Sequence, residues 1–519
     1  MIKAVEYLSR YPYGCLEQTI NKFIPILAMQ KLIASGKYSN AIPDELKKNL
    51  TTMIPEGIRR LENAQNSDGT WGWWEGDRGN VYITGFVISS LFNARGFGYK
   101  VDDEVLKNGQ YALSRIFDYP EKMSGNELSY LTYIYSLYKK FDSSIFKRVA
   151  YAKELNAYQA ANLIKAANNL KGAGVLSKSA ESEVNEALKL LNKKIEESSQ
   201  RDSCGIYWSA ASGRSWDWPG SNTEITAHVL SALVSSGDKS PKVSQTVASI
   251  SKRFKDGYWG STKESGTVIL ALCDYFTSNS MDYKEAGEIE FSLNGERLEK
   301  ISYNNNSTSE SLKREIKLEN KKAESYKLTA AGTDSSHTTY SATLRGILYF
   351  KPKGVLSFLK SEKRGIEELS NGVTARREIS FLNRVKDMKM QEYLVPQNLD
   401  DKSKINVGDE LLVRIKFKAS DKFGYMILQD FLPAGFEVVK ESAYNEYQSY
   451  SHVERRDNRM VFFFTDIAKD REYEVAYIMR AELPGTFMMR PARIECMYEE
   501  SIQGWSSPNT LDVQDEKKK

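Results

Sequence analysis

The sequence predicts a multidomain α-plus-β protein, an α/α toroid followed by β-rich domains. Three observations carry this. The apolar period is helical over roughly the first 280 residues and changes to two beyond about residue 285. Seven of the eight tryptophans lie between Trp71 and Trp259. One loop–helix pattern recurs three times within the helical part. At 519 residues the chain has room for about three domains.

Taken in order, Leu16, Ile20, Phe23, Ile24 and Leu27 form the first clear helical stripe. Thr84-x-x-Val87-Ile88-x-x-Leu91 then matches Thr226-x-x-Val229-Leu230-x-x-Leu233 and Ser265-x-x-Val268-Ile269-x-x-Leu272. Each follows a Gly/Trp-rich loop, namely Asp68–Gly72, Trp216–Gly220 and Asp256–Gly260. The expectation is a helix pair repeated around a ring, with each hydroxyl near a helix start and each loop tryptophan plugging the gap between neighbours. Unrelated helical hairpins with coincidental tryptophan loops are the alternative. Past the switch, strands are expected over 288–293, 311–318, 325–330 and 342–350, then a charged connector over 351–372. A second β-rich domain starts at Val373, with its strongest strands over 411–417 and 460–465 and a turn at Leu432-Pro433-Ala434-Gly435. The division is 1–285, 286–372 and 373–513, with a disordered tail over 514–519.

Composition narrows the functional classes. Lys+Arg number 72 against 68 Asp+Glu, a net charge of +4, so nothing global points to nucleic acid or an anionic membrane. No apolar run reaches the roughly 18 residues of a transmembrane helix. The start, Met1 to Cys15, lacks a signal-peptide layout and opens almost inside an amphipathic segment, which suits a piece of a longer protein. Four cysteines (Cys15, Cys204, Cys273, Cys496) make no C-x-x-C, and three separated histidines make no H-E-x-x-H. No metal or external cofactor is expected.

The stretch richest in chemistry is Tyr11-Pro12-Tyr13-Gly14-Cys15-Leu16-Glu17-Gln18-Thr19. A glycine turn precedes Cys15 and the helical stripe begins straight after it. Cys15 therefore stands at a helix N-terminus, where unpaired N–H groups favour a thiolate. Gln18, one turn on, shares its face. A thiol held against a side-chain amide can expel ammonia and form a thioester, with an effective molarity on the order of 10⁵ M or more once positioned. A bare C-x-x-Q also describes a buried cysteine beside a surface glutamine.

The flanks distinguish the two. Pro-Tyr-Gly-Cys-Leu-Glu-Gln resembles the thioester signature of the α2-macroglobulin and complement family, whose bacterial members read Tyr-Pro-Tyr-Gly-Cys-x-Glu-Gln-Thr. The order of composition shifts fits that family over nearly the whole chain, and the stretch from Gly408 to Phe487 resembles its last macroglobulin domain. The resemblance implies a C-terminal part of a bacterial member. It implies a thioester-bearing toroid over 1–285, a CUB-like β-domain and connector over 286–372, and a macroglobulin-type β-sandwich over 373–513. Cys15 then supplies the sulfur and Gln18 the acyl carbon. Glu17 assists proton transfer, or is a first-turn carboxylate that suits the helix dipole. Tyr11 and Tyr13 shield the bond from water, or pack around Pro12, and Tyr11 is the better candidate. Leu16 departs from the glycine of animal members. His228, the only toroid histidine, is not placed on their activating position and reads as a core or groove histidine, with an accessory role as the other reading.

The implied function is a single-turnover covalent trap, not an enzyme. A protease cuts a bait region upstream, and the exposed thioester acylates the attacker through lysine amines. The implied setting is extracytoplasmic, as a monomer, with membrane attachment only through a lipid anchor elsewhere in the protein. The alternatives are an α/α-toroid enzyme of the glycosidase, lyase or cyclase kind, or a binding module with an inactive thioester. Glu75 and Asp77 are the candidate carboxylate pair for the enzyme reading, against an ordinary turn.

Overall fold

The computed structural model describes residues 2–10, 14–34, 44–203, 205–210, 218–255, 257–278, 286–304, 327–332, 370–386, 392–399, 404–440 and 450–515. The expected strands over 311–318 and 342–350, the connector over 351–369, the last residues of the tail, Tyr11, Tyr13 and Cys204 lie outside them. Two compact units emerge, one holding the described residues up to 332 and the other those from 370 onward.

The first unit is built on α1 (Ile2–Arg10), α2 (Leu16–Ala34), α3 (Asp44–Asn63), α4 (Val81–Gly96), α5 (Asp103–Phe117), α6 (Gly125–Leu137), α7 (Ser143–Ala150), α8 (Ala157–Gly172), α9 (Lys178–Glu197), α10 (Asn222–Ser235), α11 (Pro241–Lys252) and α12 (Thr262–Ser278). Helices α2, α4, α6, α8, α10 and α12 pack in that order, and α12 returns to α2. That closed inner ring is the toroid. Inner and outer helices differ for a visible reason. In α9 only the stripe Val184, Ala187, Leu191 and Ile195 is buried, as suits a helix with one wet face. In α8 every residue from Ala157 to Ala167 is buried, and five alanines let its neighbours close in on all sides.

The repeated loop–helix unit is a hydrogen-bonding device. Thr84 Oγ1 accepts the Trp71 N–H at 3.0 Å, and the Trp71 indole donates to the Leu61 carbonyl of α3 at 2.7 Å. Ser265 Oγ accepts the Trp259 N–H at 2.9 Å, and that indole reaches the Ile250 carbonyl of α11 at 3.0 Å. The middle unit corrects the sequence reading. Its plug is Trp208, whose N–H meets Thr226 Oγ1 at 3.1 Å and whose indole meets the Ile195 carbonyl of α9 at 2.8 Å. The spacing from tryptophan to hydroxyl is 13, 18 and 6 residues in the three units, so a fixed window selected the wrong tryptophan. Trp218 instead stacks on Tyr82, with ring centroids 5.5 Å apart.

Helix gives way to strand between Ser278 and Ala286, where the period changes. Before that, β1 (Gln200–Arg201) and β2 (Ile206–Tyr207) form a small ladder beside Trp208. Then β3 (Ala286–Leu293), β4 (Glu296–Asn304) and β5 (Leu328–Gly332) make an antiparallel sheet ordered β4-β3-β5.

The second unit comprises β6 (Val373–Lys386), β7 (Glu392–Asn398), β8 (Ile405–Asn406), β9 (Glu410–Ala419), β10 (Phe423–Phe431), β11 (Phe436–Lys440), β12 (His452–Arg456), β13 (Arg459–Ile467), β14 (Glu472–Ala481), β15 (Gly485–Met489), β16 (Arg493–Cys496), β17 (Glu499–Trp505) and β18 (Asn509–Gln514). Sheets ordered β12-β13-β10-β16-β17 and β11-β14-β9-β6-β7 enclose one core, and β15-β18-β8 form a third sheet. Leu411, Val413, Ile415 and Phe417 all point into that core, as their alternation predicts. Phe417 pairs with Tyr473 across β9 and β14 and stacks on it at 5.4 Å. The turn at 432–435 joins β10 to β11, with Gly435 at a φ of 85° and no room for a Cβ beside Phe487. Gln514, read as the start of the tail, still belongs to β18, because its carbonyl accepts the Val407 N–H at 3.0 Å.

Candidate functional site

Cys15 is the N-cap of α2. Its carbonyl accepts the Thr19 N–H at 2.9 Å, the first bond of the helix. The Gln18 N–H points at Cys15 Sγ at 3.5 Å, and Gln18 Oε1 accepts the Cys15 N–H at 3.3 Å. This reciprocal pair is the geometry of a capping box. The same box opens α6 through Ser124 and Glu127, and α8 through Asn156 and Gln159. Half of it opens α10 and α12, where Ser221 and Ser261 accept the N–H groups of Glu224 and Glu264. Cys15 and Gln18 thus use the ring's own helix-start device, with a thiol in place of an oxygen. The sequence reading saw the shared face but missed the box, although Cys-x-x-Gln has the spacing of Ser-x-x-Glu.

Elements distant in sequence hold this turn. The Leu16 N–H donates to the Trp73 carbonyl at 2.9 Å, and the Arg60 guanidinium donates to the Gly14 carbonyl. Glu17 is fully buried. Its carboxylate accepts from Asn21 Nδ2 at 2.5 Å and from Thr262 Oγ1 at 3.1 and 3.3 Å, and the Cys15 thiol lies 3.9 Å from Oε2. Asn21 could have been found as the residue four after Glu17 on a helix. Arg60, Trp73 and Thr262 carry no such signal, because only tertiary packing brings them in, Arg60 from α3, Trp73 from the loop before α4 and Thr262 from α12 by closure of the ring.

The electrostatics reverse one expectation. Burial, and then the Glu17 carboxylate, push the Cys15 thiol well above its ordinary range. The backbone N–H groups of Gln18 and Glu17 and the charge of Arg60 pull the other way and do not win. The group is a thiol at rest, not the thiolate expected of a helix N-terminus.

Gln18 is the other half of the pair. Its Nε2 is buried with no hydrogen-bond partner among the described residues. An orphaned buried donor of this kind costs about 1–3 kcal/mol. The amide oxygen is held by an N–H, the sulfur lies beside the same turn, and the nitrogen has no partner among the described residues. Attack of sulfur on the amide carbon would place charge on the oxygen that Cys15 N–H already binds. Departure of the nitrogen would remove the orphan.

The other residues singled out in the sequence have contacts of their own. His228, on α10, is partly buried and lies edge-on to Tyr158 at 4.9 Å. Burial, then Lys165 and Lys263, push its imidazole well below the usual range, so it is neutral. The charges that act on Cys15 are those of Glu17 and Arg60, a separate set. Glu75 is exposed, and Asp77 closes a turn by accepting the Trp74 N–H at 3.1 Å.

Comparisons with known proteins bear on the same regions. Residues 1–115 match the family described as the A-macroglobulin TED domain, and residues 373–501 the bacterial alpha-2-macroglobulin MG10 domain. An alpha-2-macroglobulin of Escherichia coli K12 is 23% identical over 535 aligned positions, 95% of this chain and 28% of that protein. One of Thermotoga maritima is 31% identical over 106 residues, 20% of this chain and 6% of that protein. The chain thus spans less than a third of these relatives. Among solved structures, native E. coli alpha-2-macroglobulin from domain MG7 to the C-terminus gives a TM-score of 0.65 at 19% identity, covering 98% of this chain and 74% of that one. Salmonella alpha-2-macroglobulin reacted with methylamine gives 0.64 at 18%, covering 98% and 30%. At these identities the structural likeness speaks for the fold.

Proposed function

We propose, from the premise that this is a bacterial alpha-2-macroglobulin-like chain in both its helical and its β part, that it bears the acylating centre of a covalent protease trap. Cys15 and Gln18 form an internal thioester, with no external cofactor. The observation that carries this reading is the reciprocal contact of Cys15 and Gln18 around a buried, partnerless Gln18 Nε2.

The chemistry follows from the chain's own atoms. Sγ bonds to the Gln18 side-chain carbon, the bond to Nε2 breaks, and the thiol proton leaves with it as ammonia. Glu17, beside the thiol, carries the proton. Later attack by an amine gives an amide to Gln18 and returns the Cys15 thiol, so each molecule reacts once. A Salmonella relative has been solved after reaction with methylamine. Attacking proteases offer lysine amines for the same reaction. His228, neutral and among other partners, is left out of this scheme. Tyr11 is assigned the shielding of the bond, with Tyr13 beside it. The domain division 1–285, 286–372 and 373–513, with a CUB-like middle domain, belongs to this proposal, as do a monomeric state and an extracytoplasmic setting. Among the described residues no helix is long and apolar enough to cross a membrane.

The test is amine uptake. Incubation with methylamine should add one amine per molecule at Gln18 and release one titratable thiol at Cys15, located by peptide mapping. Uptake at another residue, or equal uptake by Cys15→Ser, would overturn the reading.

A further inference from the structure

Two contacts on α12 face the reactive turn. Thr262 Oγ1 donates to both oxygens of Glu17. One turn on, Gly266 leaves the space that Asn21 fills, since a Cβ there would lie 1.9 Å from Asn21 Oδ1. Asn21 in turn donates to Glu17 Oε1. Glu17 and Asn21 are four apart on α2, and Thr262 and Gly266 four apart on α12, so two helix faces meet over one carboxylate. All four residues are buried, and α2 and α12 are the pair that closes the ring.

We propose that Thr262 and Asn21, seated by Gly266, are positioning residues that hold the Glu17 carboxylate against the Cys15 thiol for closure of the thioester. This rests on the reading given under Proposed function and adds residues to it. A carboxylate on a free side chain samples many rotamers, and one turned away from sulfur cannot take its proton. Two donors from two helices leave Glu17 one orientation, with Oε2 toward Sγ. In the closing step the Sγ–H bond breaks, Glu17 takes the proton, and sulfur bonds to the Gln18 carbon. The carbon–Nε2 bond then breaks, and the nitrogen takes the proton from Glu17 to leave as ammonia. No electron changes hands outside these bonds. Because one donor sits on the last inner helix, 245 residues from Glu17, the arrangement exists only in a closed ring. Closure of the bond therefore follows completion of the fold.

The test measures re-closure. The full chain is treated with ammonium chloride, which restores the Cys15 thiol and the Gln18 amide. Ammonia is then removed, and intact mass and free thiol are followed in time. Thr262→Val should slow re-closure about tenfold or more, Thr262→Ser should restore it, and Gly266→Ala should slow it by displacing Asn21. In a Glu17→Gln background, Thr262→Val should have no further effect, because its action runs through Glu17. Urea unfolding of each variant separates a slow reaction from a damaged fold. If the wild-type chain never loses ammonia, the thioester reading itself fails. If wild type closes and folded Thr262→Val closes equally fast, or slows equally in the Glu17→Gln background, the positioning role is overturned.

Discussion

Each unit of the molecule buries a polar cluster, and the two are built to opposite rules. In the β-sandwich, the side chains of Arg377 and Asp430 are both fully buried and form an ion pair. Arg377 also donates to the carbonyls of Met489, Arg490 and Ser507 and to Asn509 Oδ1, and Tyr477 donates to Asp430 at 2.8 Å. In the helical unit, Cys15, Glu17, Gln18 and Asn21 are as deeply buried, yet Gln18 Nε2 and Asn21 Oδ1 have no partner among the described residues. A satisfied buried network fixes one structure, and an unsatisfied one stores free energy. The sandwich cluster is a staple. The helical cluster suits the proposed thioester, because one of its two orphaned atoms, Gln18 Nε2, is the one that reaction would discard.

That contrast can be broken in four ways. The largest effect is chemical. Cys15→Ser should abolish methylamine uptake while leaving α2 capped, since serine is a favoured N-cap, whereas Cys15→Ala should also lose about 1 kcal/mol of stability. Uptake assays and urea unfolding read the two apart. Second, Asp430→Ala strands the Arg377 charge and should cost the sandwich about 3–5 kcal/mol. Hydrogen exchange in β9 and β10 should rise, with amine uptake per folded molecule unchanged.

Third, the helical unit pays for another buried charge. Burial lowers the Lys165 amine to about 8, with the Asp274 charge opposing. A lysine whose folded value lies below its unfolded one binds fewer protons when folded, so stability rises with pH between the two values. The unit should gain on the order of 1–2 kcal/mol from pH about 8 to 10 relative to Lys165→Met. Urea midpoints across that range check the slope, and equal slopes in both proteins would remove Lys165 as its cause. Fourth and smallest, Gln18→Met in a Cys15→Ser background deletes the orphaned donor and keeps the volume. Because the change also removes the Oε1 that accepts the residue-15 N–H, gain and loss offset and stability should change by less than about 1 kcal/mol, where a glutamine bonded at both ends would show a larger loss.

The sequence carried the parts of this that are local. Cys15, Glu17 and Gln18 fall within four residues, and the change of apolar period located the passage from α12 to β3. The ring was readable from Thr84, Thr226 and Ser265, because each repeats with its own apolar helix face. Trp208 was missed because the loop before α10 is longer than its counterparts, and hydrogen bonds rather than spacing define the unit. Arg60 and Thr262 were missed because they meet the motif only through tertiary packing, Arg60 from α3 beside α2 and Thr262 through ring closure. The thiolate was misjudged because proximity to a helix N-terminus can be read from sequence, and the depth of burial that outweighs it cannot.

The most direct test of the central claim is the intact mass of the untreated chain under denaturing, thiol-free conditions, beside Cys15→Ser. The wild-type chain should be lighter than its sequence mass by one ammonia, and Cys15→Ser should match its own. A wild-type mass equal to the sequence, with a free thiol at Cys15 from the start, would contradict a formed thioester.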